Sequence, residues 1–237
     1  MPRLPSRKRT GTSEPPNNPG LRSLIEAKRE WHFTPDANAM AKGFRGWHER
    51  GYLPHFDAPN VTQIVTFNLV DSFPVTRQRE WEHILSLPDE SECRRLLEEW
   101  LDRGHGECWL RKVELASLVE TKLRIGHGRE YALQAWVVMP NHVHLVVDVW
   151  QKPLSLLIKT WKGATAAPAN RILGRTGQFW QEDYWDTLIR DEAHLRKAVR
   201  YVEHNPARAT LTRDNALWPW SSARRKDAYG RLIEGVD

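Results

Sequence analysis

The sequence predicts a single α+β domain, an antiparallel sheet with helices on one face. Two observations carry the prediction. Segments with a two-residue apolar rhythm (residues 61–70, 131–139 and 142–149) are separated by segments with helical rhythm. Their order (strand, helices, strand, strand, helix, strand) is that of an α+β unit, and no internal repeat is present. At 237 residues the chain is long enough to bury one generous core or two small ones.

The elements follow in order. Residues 1–20 hold Pro, Ser, Asn, Gly and the run Arg7-Lys8-Arg9 without periodicity, which reads as a disordered basic arm. A short helix is expected over 24–30, and residues 47–56, Trp-His-Glu-Arg-Gly-Tyr-Leu-Pro-His-Phe, read as a loop-like lead-in. In the first strand Val61, Val65, Phe67 and Leu69 share one face, and Thr62, Thr66 and Asn68 the other. Helices over 77–87 and 90–103 are split by Pro88, which breaks a helix interior. Gly104-His105-Gly106 ends that region, and a helix over 113–125 stops at Gly126. The second and third strands form a hairpin through Pro140-Asn141. A basic amphipathic helix over 154–173 turns Leu156, Leu157, Trp161 and Ile172 inward and Lys159, Lys162 and Arg171 outward. A fourth strand is expected over 179–189. Asp191 caps a last helix that runs to about His204, since the residue before Pro206 disfavours helical angles. These boundaries divide the chain into an N-terminal extension (1–45), one catalytic domain (46–222) and a basic tail (223–237).

Composition narrows the function classes. No apolar run reaches the roughly 20 residues of a membrane span, and the basic N-terminus lacks the apolar core of a secretory signal. Cys93 and Cys108 match no ligand spacing, so a reduced, cytoplasmic setting is expected. The net charge of +5 and the 12 tryptophans fit a protein that neutralises phosphates and stacks bases. Lys159, Lys162, Lys197, Arg200, Arg224 and Arg225 are the candidate DNA contacts; each has the alternative reading of an ordinary solvated charge.

The chemistry concentrates in Met139-Pro140-Asn141-His142-Val143-His144-Leu145. Alternation puts His142 and His144 on one face, where two imidazoles can ligate one metal ion, and Val143, Leu145, Val147 and Val149 on the core side. The closing helix offers the second half. At about 100° per residue, Leu195, Val199 and Val202 form an apolar stripe, flanked by the polar residues His194, Tyr201 and Asn205. If that stripe packs beside the sheet, Tyr201 faces the histidines and Asn205 can add an oxygen to the same ion. A phenol with a pKa of about 10 needs help to act as a nucleophile; Lys197 or Arg200 is the expected helper. Imidazole softness favours zinc, whereas the oxygen-rich remainder equally admits Mg²⁺ or Mn²⁺. Taken singly, a His-x-His strand and a helical tyrosine are ordinary packing motifs; only their conjunction points to phosphoryl transfer through a covalent intermediate. A zinc-dependent hydrolase lacks a carboxylate base, Asp148 being the only candidate on that strand face.

The segment 139–145 resembles the His-hydrophobe-His motif of the IS200-like single-tyrosine transposases. Arg200-Tyr201-Val202-Glu203-His204-Asn205-Pro206-Ala207-Arg208-Ala209 resembles the catalytic helix of their REP-associated branch. The likeness runs from about Arg50 through Ser222 and takes in Gln178-Phe179-Trp180-Gln181 and Tyr184; the N-terminal extension lies outside it. It implies a ferredoxin-like fold of the HUH endonuclease type, with His142, His144 and Asn205 as metal ligands and Tyr201 as nucleophile. It further implies Mg²⁺ or Mn²⁺, cleavage of single-stranded DNA beside REP-type hairpins through a 5′-phosphotyrosine, and resealing without ATP. A non-catalytic hairpin-DNA or RNA binder on the same sheet is the alternative, and monomer and homodimer are both open.

Overall fold

Alternating Val, Ile and Phe favour extended chain, and the computed structural model builds its central sheet from those segments. It describes residues 33–49, 54–87, 89–227 and 232–233. The chain enters through helix α1 (Ala37–Ala41) and an antiparallel ribbon of β1 (Gly46–Glu49) and β2 (Pro54–Asp57). Strand β3 (Val61–Asn68) leads to helices α2 (Gln78–Ser86), α3 (Glu90–Asp102) and α4 (Val113–Arg124). Strands β4 (Tyr131–Val138) and β5 (His142–Val149) form the hairpin. Helix α5 (Leu154–Ile172), strand β6 (Trp185–Leu188) and helix α6 (Glu192–Arg208) complete the order.

The main sheet runs β4-β5-β3-β6 with every neighbouring pair antiparallel. With β3 as first strand this is β-α-β-β-α-β with the last strand beside the first, the ferredoxin-like arrangement. Its two faces bury different things. Val65, Phe67, Val143, Leu145 and Val147 meet Leu115, Val119 and Leu123 of α4 and Leu157, Ile158 and Trp161 of α5 in the larger core. On the other face Ile64, Ala135, Val137 and Val146 receive Ala198 and Val202 of α6, with Leu195 and Val199 packed alongside. Helix α3 adds a third cluster, Leu97, Trp100 and Leu101, against Trp185.

Five expectations change. The lead-in expected as a loop over 47–56 carries paired strand instead, Trp47 opposite Phe56 and His48 opposite His55. The strand expected over 179–189 is only Trp185–Leu188. Phe179 and Trp180 instead plug the larger core, and the carbonyls of Gln181, Glu182 and Asp183 bind the Lys162 ammonium, which bends the chain. Leu156 and Ile172 are 42% and 50% exposed, because the buried stripe of α5 runs through Leu154, Leu157, Ile158 and Trp161. Helix α6 does not stop at Pro206 but runs to Arg208. Pro206 gives up the one bond its own N–H would have made to the Val202 carbonyl, yet the helix continues, with Ala209 N–H donating to the Asn205 carbonyl (2.9 Å). Finally, residues 33–45, expected to belong to the N-terminal extension outside the domain, carry α1 and the buried Phe44. The expected helix at 24–30, the basic run at 7–9, residues 50–53, Pro88 and most of the tail lie outside the described residues. No helix among the described residues is long and apolar enough to cross a membrane.

Candidate active site

The Pro140-Asn141 turn delivers β5 so that its first and third side chains point away from the larger core. His142 and His144 are 1% and 0% exposed, and their Nε2 atoms stand 2.9 Å apart. Asn141 decides the proton on the first of them. Its Nδ2 donates to the carbonyls of Leu101 (3.2 Å) and His105 (3.1 Å), so its Oδ1 faces His142 Nδ1 at 2.7 Å. An amide oxygen only accepts, hence His142 carries its proton on Nδ1 and leaves Nε2 with a free lone pair. The turn presenting the His105 carbonyl depends on glycine: Gly106 has φ +86, and a Cβ there would lie 2.7 Å from the Asp71 carbonyl.

His144 is held differently. Its Nδ1 lies 2.7 Å from the hydroxyl of Thr66, the residue opposite it on β3. A hydroxyl can donate or accept, so His144 can present either tautomer at Nε2. Burial pushes both imidazoles down, with the Arg208 charge adding to it: His142 falls to about 3 and His144 well below the ordinary range. Both rings are therefore neutral near pH 7; His142 offers a lone pair at Nε2, and His144 offers one there in the tautomer whose Nδ1–H donates to Thr66.

Packing of Ala198 and Val202 on the sheet sets Tyr201 over this pair, its ring edge-on to His144 with centroids 5.4 Å apart. The two halves read separately from the sequence meet. Asn205, fully buried one turn on, sits between them. With its Nδ2 on Asp102 Oδ1 (3.3 Å), its Oδ1 accepts from Arg208 Nη2 (3.1 Å), Tyr201 Oη (3.3 Å) and His144 Nε2 (3.2 Å). The opposite orientation would set donor against donor and acceptor against acceptor, so the network selects this one.

The cation at the phenol is Arg208, not Lys197 or Arg200. Arg208 Nη2 donates to Tyr201 Oη at 3.0 Å, and its guanidinium lies 4.6 Å from the ring centroid. Asp102 (3.0 Å) and Glu98 (3.7 Å), both on α3, hold the guanidinium there. Burial drives the Tyr201 hydroxyl well above its usual range and the Glu98 charge adds to this; Arg208 pulls the other way without prevailing. Lys197 and Arg200 are exposed on α6.

The donor set is thus two neutral imidazole nitrogens and one amide oxygen. Among the described residues no group of three or more His, Cys, Asp or Glu is placed to hold a metal, so an ion here depends on the amide. This set fits a cation that accepts mixed nitrogen and oxygen ligands and keeps positions for water or phosphate. Asp148 is no base for this site: it accepts from Thr62 and Gln134, six residues or about 20 Å of strand from His142.

The candidate DNA contacts divide. Lys159, Lys197, Arg200 and Arg224 are exposed. Lys162 is instead a clip for the 181–183 carbonyls, and Arg225 pairs with Glu120 at 3.3 Å with its side chain 12% exposed. Sequence reasoning missed Arg208, Asn141, Thr66, Glu98 and Asp102. Arg208 had a readable signal, seven residues or two helical turns after Tyr201, but only if the helix passes Pro206. Asn141 stands next to the histidines; the other three are brought in by the fold.

Comparison with known proteins finds similarity to transposases. The family model described as "Transposase IS200 like" matches residues 110–205, a span containing His142, His144, Tyr201 and Asn205. The chain is 26% identical over 114 residues to the REP-associated tyrosine transposase of Escherichia coli (strain K12), covering 46% of this chain and 64% of that one. It is 25% identical over 99 residues to a putative REP-associated tyrosine transposase of Haemophilus influenzae, covering 37% and 56%. The matched segments thus span under two thirds of either relative's length. Among solved structures, a REP-associated tyrosine transposase bound to a REP hairpin is similar at a TM-score of 0.49. The identity there is 16%, over 80% of this chain and 92% of that one. A putative transposase from Deinococcus radiodurans follows at 0.28, with 15% identity over 67% and 96%.

Proposed function

We propose, from a chain whose residues 110–205 match the IS200-like transposase family model, a transposase-type enzyme that cuts and rejoins single-stranded DNA beside REP-type hairpins. The observation that carries the proposal is the Tyr201 hydroxyl, 3.3 Å from the Asn205 oxygen and above the His142–His144 pair. A binding protein needs no such convergence of a phenol, two neutral imidazoles and an amide.

Tyr201 Oη forms a bond to the phosphorus of one phosphodiester, the bond from phosphorus to the 3′ oxygen breaks, and the DNA 5′ end is left on the tyrosine. The phenol gives up its proton to solvent and the departing 3′ oxygen takes one up. The phosphotyrosine is itself a phosphodiester, so a 3′-hydroxyl reverses the step with no nucleotide cofactor. Arg208 donates to Oη throughout and stabilises the charge on that oxygen as its proton leaves. Asn141 and Thr66 keep the imidazoles aimed at the reacting phosphate. His142, His144 and Asn205 would hold Mg²⁺ or Mn²⁺, which polarises the phosphate and offsets its charge when bound.

The test is a denaturing gel of labelled hairpin-bearing single-stranded DNA incubated with the protein and Mn²⁺. A covalent adduct is expected, absent from Tyr201→Phe; His142→Ala should lose cleavage while its DNA affinity stays near that of the wild type. DNA binding without adduct, over hairpin and unpaired substrates and with both metals, would overturn the proposal.

A further inference from the structure

Asn205 is a nearly symmetric side chain in a position where symmetry cannot be tolerated. One end of its amide meets the Asp102 carboxylate; the other meets His144 Nε2, the Tyr201 hydroxyl and the Arg208 guanidinium. Only one orientation presents oxygen toward the histidine pair, and nothing in the shape of the amide selects it. What selects it is charge. An ionised carboxylate has acceptors only, so whichever end of Asn205 faces Asp102 must be the nitrogen.

Asp102 has a second hold on the site. While Oδ1 takes the Asn205 amide at 3.3 Å, Oδ2 takes Arg208 Nη2 at 3.0 Å, and the same nitrogen reaches Tyr201 Oη at 3.0 Å. One carboxylate at the C-terminal end of α3 therefore fixes two α6 residues that lie on either side of the nucleophile. Glu98, one turn earlier on α3, reaches the Arg208 guanidinium at 3.7 Å and also accepts from Arg94 Nε at 3.1 Å.

We propose that Asp102 is a positioning residue of the active site. It turns the Asn205 oxygen toward the metal position and braces Arg208 on the Tyr201 hydroxyl, without itself touching substrate or metal. The inference rests on the reading of Asn205 as a ligand. It makes α3, which lies outside the residues matched by the family model, part of the catalytic apparatus.

The experiment titrates Mn²⁺ alone into the full chain, following free Mn²⁺ by electron paramagnetic resonance, with melting temperature recorded for each variant. Asp102→Asn keeps the shape but offers Asn205 a donor as well as an acceptor, so the amide is held in its orientation only by Arg208, which loses its own charged brace in the same change. Its Mn²⁺ affinity should fall about tenfold or more, the range found when a group supporting a metal ligand is lost. The exchanged pair Asp102→Asn with Asn205→Asp restores complementarity: the amide now lies on α3 and the carboxylate faces the histidines. It should recover most of the affinity, which a merely structural role for Asp102 does not predict. Wild-type affinity in Asp102→Asn overturns the inference, as does an exchanged pair that folds but fails to recover binding. His142→Ala separates the two levels. If the wild type binds Mn²⁺, His142→Ala does not, and Asp102→Asn binds normally, the positioning role falls and the proposed metal site stands. If the wild type shows no binding that His142→Ala removes, both fall.

Discussion

His55 is 1% exposed, with Nδ1 2.5 Å from Asp186 Oδ1 and Nε2 2.8 Å from Asp183 Oδ1, and Tyr184 stacks on its ring at 4.1 Å. Burial alone would lower its pKa; the hydrogen bonds to Asp183 and Asp186 outweigh that and raise it to about 9. The ring is therefore protonated at pH 7. Because its folded pKa lies above the unfolded value of about 6.5, its contribution is complete below that value and is lost as pH rises through 9. The shift corresponds to stabilisation on the order of 3 kcal/mol at low pH. Thermal melts followed by circular dichroism between pH 6 and 10 should show the wild type losing stability steeply with rising pH. His55→Gln should start lower and change less; equal slopes would reject the assignment. The sequence placed His55 in an aromatic lead-in and gave no hint of this, since its partners lie 128 and 131 residues away. His142 and His144 were legible for the opposite reason: a two-residue period puts neighbours on one face whatever the rest of the chain does.

Elements were legible where a period ran uninterrupted, and α4, β4 and β5 are examples. They were misjudged where a long-range contact overrides local preference. Lys162 shows this: helical periodicity turns it outward, yet its ammonium reaches the carbonyls of Gln181 (2.9 Å), Glu182 (3.2 Å) and Asp183 (2.8 Å). That capture ends the extended run begun at Phe179 and sets Asp183 and Tyr184 on His55. Lys162→Met should cost about 1.5–3 kcal/mol, the usual worth of hydrogen bonds from a charged donor, measured by urea unfolding. The salt dependence of DNA binding should stay unchanged, as phosphate contacts alone enter that slope. A shallower slope with stability intact would return Lys162 to the DNA-contacting surface. Helix α6 teaches a related point. Proline costs the helix one hydrogen bond but does not end it, and the residues beyond deliver Arg208 to the phenol.

At the scale of the whole molecule, the sheet has two edges and treats them differently. Edge β6 is only four residues long. Edge β4 is eight residues long and is covered by the chain's own C-terminal segment. Val138 N–H donates to the Trp220 carbonyl (2.9 Å), Trp218 Nε1 to the Val138 carbonyl (3.0 Å), and Trp136 N–H to Ser222 Oγ (3.1 Å). Ser222 Oγ in turn donates to Glu203 Oε1 of α6 at 2.7 Å, so the strap also ties down the helix that carries Tyr201. Truncation before Trp218 should expose an apolar edge that pairs with other copies. The expected outcome is a lower melting temperature and concentration-dependent self-association in light scattering beyond that of the untruncated chain; an assembly state unchanged by truncation would refute it.

The sequence by itself determined the sheet's inner and outer faces, the histidine pair and the tyrosine with an amide one turn on, because each follows from a local period along one element. Only the tertiary structure decided that α6 lies across the histidine face, that α3 supplies Glu98 and Asp102, and that Arg208 is the cation at the phenol. These relations join residues as much as 106 positions apart. Such distances are closed by burial of the two sheet faces against their helices, a property of the whole chain that no local pattern contains.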